Sequence, residues 1–137
     1  MPDPSSLLGS TMVSQKLGAT PRRLVQACAS GSPHDALAQW VATLAHRLDD
    51  LHQQLVTQAM HSADTLTRVA TGKGQINSLG ILQNSGMQID ILAARRADAI
   101  EHLTLAIHVY QQLDEPQIRH AAVSPVAKLK TQPTRGR

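Results

Sequence analysis

The side chains that could do chemistry are spread along the chain: seven histidines, ten carboxylates and one cysteine among 137 residues. Metal binding is the first chemistry to consider. Di-metal sites in helical bundles take carboxylates together with a Glu-x-x-His pair on facing helices, because that spacing puts both ligands on one face. The nearest approach here is Asp49-x-x-His52, and Asp98 with His102 is a second pair one turn apart. On the leucine repeat described below, Asp49 points away from the apolar seam and His52 only flanks it. The face carrying Asp98 and His102 falls towards solvent. No metal and no cofactor is therefore expected. Gly72-Lys73-Gly74 lacks the flanking pattern of a phosphate-binding loop. No Ser-His-Asp or Cys-His grouping has a helpful spacing, and Cys28, on a short apolar stretch, reads as core. The chain is expected to be non-enzymatic.

Composition says which elements must position these residues. Phe is absent, and Trp40 and Tyr110 are the only aromatic rings. Leu and Ala dominate the apolar fraction, and both favour helices, whereas strands are enriched in aromatic and β-branched residues. The expected fold is all-α: a long antiparallel helical hairpin with short N-terminal helices, the bundle completed by oligomerisation. A lone cysteine cannot form an intramolecular disulfide. No run approaches the roughly 20 apolar residues needed to cross a bilayer, and the first residues lack the basic and apolar regions of a signal peptide. A cytoplasmic protein with no membrane partner is the expectation.

Proline marks the helix starts, since it is tolerated at the first helical position behind a polar cap. Asp3-Pro4 opens a short helix that ends near Gly18, and Thr20-Pro21 opens another that ends at Ser30-Gly31. Ser32-Pro33 is the strongest start, with Asp35 three residues on in a capping-box pattern. From there no Pro or Gly occurs before Gly72. Leu37, Val41, Leu44, Leu48, Leu51 and Leu55 follow at heptad spacing. After Leu55 the seam slips by one residue to Ala59, Ser62, Leu66 and Val69, a stutter. A helix over 33–70 is about 55 Å long at roughly 1.5 Å per residue and needs a partner along its length. Residues 75–84 read as a short turn in a connection. Ser85 with Gln88 caps a second long helix whose seam includes Ile100, Leu103, Ile107 and Tyr110, and Pro116 ends it near Asp114. Arg96 is the one charge on that seam.

Three regions result: short N-terminal helices in 1–31, the long hairpin in 32–115 and a tail in 116–137. Residues 1–115 carry eight Lys/Arg against ten Asp/Glu, whereas the tail carries Arg119, Lys128, Lys130, Arg135 and Arg137 with no acid. The tail, proline-punctuated and without amphipathic period, is expected to be disordered. It offers salt-sensitive attraction to phosphate without base stacking, because no aromatic residue accompanies the charges. The leading expectation is an assembly protein that forms a homodimer, or pairs with a helical partner, through its Leu/Ala seams. Its tail meets an anionic partner such as nucleic acid.

Two resemblances give alternatives. Arg47-x4-His52 and Arg96-x5-His102 resemble the Arg/His motif of the all-helical HEPN ribonucleases. That resemblance implies an Arg holding phosphate and a His assisting attack by the ribose 2′-hydroxyl. The residues after each Arg, Leu48 and Ala97, depart from that family's polar position. Tyr110-Gln-Gln-Leu-Asp114 resembles the Tyr-x-x-x-Asp/Glu export signal of type VII secretion substrates. It implies a secreted helical hairpin, although Trp40 lies in the first long helix and not in the connection.

Overall fold

A computed structural model describes residues 7–74 and 81–123, of which 81, 82 and 114–123 are described by their backbone alone. The described residues form four helices: α1 (Leu8–Leu17), α2 (Pro21–Ala27), α3 (Pro33–Ala70) and α4 (Ile81–Val123). No strand occurs among the described residues. α3 packs along α4, and α1 and α2 pack on α3, with α1 also touching α4. The N-terminal helices thus belong to the same core. Residue numbers rise along α3 as they fall along α4, since His34 meets Tyr110 and His52 meets Arg96.

The capping reading at residue 32 holds. Ser32 Oγ accepts from the Asp35 amide at 3.1 Å, and Pro33 occupies the first turn. The Asp35 carboxylate reaches one residue further back than in a usual capping box. It accepts from the Gly31 amide at 3.0 Å and from Gln39 Nε2 at 3.1 Å. The Ser32 amide has its own acceptor, the Ala29 carbonyl, at 3.1 Å. α2 stops at Ala27, earlier than expected, because residues 29–32 are needed to turn the chain into α3.

α4 differs from expectation at both ends. It begins at Ile81, so Ser85 and Gly86 lie inside the helix and do not cap it. A glycine within a helix costs only about 0.5–1 kcal/mol relative to alanine, less than an extra turn of backbone hydrogen bonds recovers. At the other end α4 runs through Pro116 to Val123. Proline forfeits one backbone bond, and the helix formers after it rebuild the ladder. The boundary expected at 115/116 therefore falls within α4. Of the connection read over 75–84, residues 81–84 belong to α4, while 75–80 and the tail beyond 123 lie outside the described residues.

The core joins all four helices. Val13 from α1, Leu24 from α2, Ala38, Val41, Ala45 and Leu48 from α3, and Ala99, Leu103, Ala106, Ile107 and Tyr110 from α4 form one buried cluster. α3 therefore presents two buried stripes. Val41, Leu48 and Leu55 lie on the leucine seam, and a second stripe of Ala38, Ala42, Ala45 and Asp49 runs one residue beyond it. The second stripe is small because α1 approaches very closely. A Cβ added at Gly9 would overlap the Ala45 carbonyl and lie 2.9 Å from Ala45 Cα. Burial on α3 ends at Leu55. Past the stutter Leu66 is exposed, as are Met60 and, on α4, Met87 and Ile91.

Candidate functional site: the open side of the α3/α4 pair

α1 has no cap of its own, since Leu7 stands at its cap position. Asp49 supplies one from α3. One carboxylate oxygen accepts from the Gly9 amide at 2.6 Å and the Ser10 amide at 3.2 Å, and the other accepts from Ser10 Oγ at 2.6 Å. These amides would otherwise lack partners at a helix start, where negative charge is also favoured by the helix dipole. Asp49 is thus buried and structural. Both of its carboxylate oxygens are engaged at the start of α1, on the side of α3 that points away from the leucine seam. Among the described residues no group of three or more His, Cys, Asp or Glu side chains could hold a metal ion.

The Asp49 bonds fix α1 on one side of the α3/α4 seam. Gln111 of α4 marks the same side, its Nε2 donating to the Lys16 carbonyl at 3.2 Å. Successive residues turn by about 100° on a helix, so the opposite side of α3 carries Trp40, Leu44, Arg47 and Leu51 at spacings of four, three and four. On α4 that side carries Arg95, Asp98 and His102, and continues through Leu105, Val109 and Leu113. No helix among the described residues covers it. A groove of about 430 Å³ opens there, with Leu44, Leu51 and Ala99 as its apolar floor. Arg47, Arg95, Asp98 and His102 form its rim.

Further along, towards the N-terminal end of α3, the same side is apolar and wet. Trp40 is 47% exposed, Leu105 56%, Val109 41% and Leu113 44%. Solvent-exposed apolar residues are ordinary when scattered, and informative when they line one face.

The structure sorts the sequence's candidate interface residues. Val41, Leu48, Leu55, Leu103, Ile107 and Tyr110 are buried inside the single chain, while Leu37, Leu44, Leu51 and Ile100 are half-buried at the margin of its core. Trp40, Leu105, Val109 and Leu113 are the exposed large apolar side chains on this side of the pair. For the three on α4 the signal in the sequence was a second apolar stripe that starts two residues past Leu103 of the seam. Of the basic residues, Arg119 lies on the backbone of α4, and Lys128, Lys130, Arg135 and Arg137 lie outside the described residues.

Arg96, the charge on the α4 seam, pairs across the helices with His52, Nη1 to Nδ1 at 3.3 Å. Arg47 and His102 both line the groove. Each Arg of the ribonuclease-like spacings is therefore placed with the His of the other helix, and neither same-helix pair converges. Within one helix, Arg47 and His52 point roughly 140° apart, and Arg96 and His102 roughly 120° apart. Tyr110 of the export-like motif is buried with its ring 5.0 Å from that of His34. The side chain of Asp114 is outside the described set. No helix among the described residues is long and apolar enough to cross a membrane. No protein-family model, curated protein or solved structure matches the chain.

Proposed function

We propose that the protein is a non-enzymatic assembly module, a long helical hairpin that pairs with a second copy through the open side of α3 and α4. The observation that carries this reading is the one-sided exposure of Trp40, Leu105, Val109 and Leu113. Covering them recovers about 25 cal/mol for each Å² of apolar surface removed from water. A second copy suits the face because a two-fold pairing sets the exposed apolar stripe of Trp40, Leu105, Val109 and Leu113 against its own equivalent, the self-complementarity that an isologous interface requires. Two α3/α4 pairs face to face make a four-helix arrangement. The basic C-terminal residues Arg119, Lys128, Lys130, Arg135 and Arg137 give the dimer a handle for an anionic partner such as nucleic acid.

Size-exclusion chromatography with light scattering tests the pairing. The intact chain is expected as a dimer, and Leu105→Glu with Val109→Glu as a monomer of unchanged helix content. Loss of two central apolar contacts weakens association by about 30-fold or more, in the range of interface hot spots. A wild-type monomer at tens of micromolar, or a variant that stays dimeric, rules the pairing out. In the same runs, removing residues 124–137 should abolish any excess absorbance at 260 nm that high salt disperses, and should leave the oligomeric state alone. Nucleic acid retained at equal salt sensitivity after that removal would place the anion-binding surface elsewhere.

A further inference from the structure

We infer that the groove rimmed by Arg47, Arg95, Asp98 and His102 is a binding site for a small phosphate monoester of nucleotide size whose organic part bears hydroxyl groups. Four observations converge on this ligand class, and none of them depends on dimerisation. Residues 1–115 carry a net −2, eight basic against ten acidic, yet two guanidinium groups and an imidazole gather at this one groove. Among the described residues none of the Arg47, Arg95, Asp98 and His102 side chains has a hydrogen bond or ion pair, unlike Arg68, which pairs with Asp64 at 3.2 Å. Cations with no carboxylate of their own keep their donors for an external anion, and guanidinium forks match phosphate oxygens in geometry.

The floor and size narrow the choice further. Leu44, Leu51 and Ala99 give the groove an apolar base, and about 430 Å³ lies within the range of small-ligand clefts. A bare phosphate would leave that base wet, whereas an organic body covers it. Asp98 explains the hydroxyl groups. It lies one turn from Arg95 and one turn from His102, so an anion held by the arginines has a carboxylate next to it. That carboxylate repels a second anionic group and accepts from a neutral O–H or N–H. A sugar phosphate carries both halves of this pattern.

Titration calorimetry on the full chain is the test, with AMP, adenosine and inorganic phosphate as probes at constant salt. AMP is expected to bind more tightly than inorganic phosphate, and adenosine to give no measurable heat. Arg47→Gln with Arg95→Gln should weaken AMP by about tenfold or more, the loss of two charge-assisted contacts. Arg22→Gln with Arg23→Gln removes the same charge far from the groove and should leave AMP affinity within about twofold. All four arginines are exposed, and circular dichroism shows that each variant keeps its helices. No binding of AMP, equal losses in the two double variants, or equal affinity for AMP and inorganic phosphate would each overturn the assignment. A monomeric protein that binds AMP as described removes the pairing proposed above and keeps this site. A dimer indifferent to AMP does the reverse.

Discussion

Truncating Leu103 to alanine should lower the free energy of unfolding by about 2–5 kcal/mol, the range for a fully buried leucine in a core that relaxes only partly. Leu103 is wholly inaccessible and belongs to the cluster that joins all four helices. Its loss therefore leaves a void that no single helix can close. Leu105, two residues on, is more than half exposed, and Leu105→Ala should change stability by no more than about 0.5 kcal/mol. Chemical denaturation followed by circular dichroism reads both. Equal costs at the two positions would mean that α4 is rotated about its axis relative to the arrangement described here.

The second large effect is expected at Asp49. Asp49→Ala strands the amides of Gly9 and Ser10 and the Ser10 hydroxyl at the start of a helix that has no other cap. The cost should be about 2–3 kcal/mol, from buried donors left without an acceptor and from the lost cap. Asp49→Asn keeps an acceptor for both amides and can offer its NH₂ to the Ser10 hydroxyl. It forfeits only the charge facing the helix dipole, about 0.3–1 kcal/mol. Hydrogen exchange adds the location: in the alanine variant the amides of 8–17 should lose protection before those of α3. An asparagine variant as unstable as the alanine one would contradict the hydrogen-bond account and point to the charge alone.

Much of this architecture was legible in the residues, and the exceptions have identifiable causes. The start of α3 could be read because Ser32, Pro33 and Asp35 act locally, within one turn. The 33–70 span could be read because nothing in it breaks a helix. The close approach of α1 was harder, since Gly9 and Ala45 are 36 residues apart and each is unremarkable alone. Asp49 was misread for a related reason. Its place on the heptad gives its angle to α4 correctly, but says nothing of a third helix arriving on that side. Ser85 and Pro116 were overweighted as boundaries, because a cap or a proline is worth only a few kcal/mol against continuing backbone bonds. The groove could be seen only in part. Arg47 and His102 were singled out as members of same-helix pairs, whereas their place on one groove depends on how α3 and α4 are paired, which no local spacing encodes. The basic residues of the tail were legible as charge and as nothing more.

Trp40 has a consequence for anyone who handles this protein in a fluorimeter. It is the only tryptophan in the chain, and in the folded state it is already about half in water. In an unpaired chain its emission should therefore shift little when the helices melt, and an unfolding curve read at that wavelength would be nearly flat while the protein denatures. The same indole stands on the uncovered side of α3, so a blue shift at constant helix content would signal a partner settling on that side. In this molecule tryptophan light reports company, and the fold has to be watched by other means.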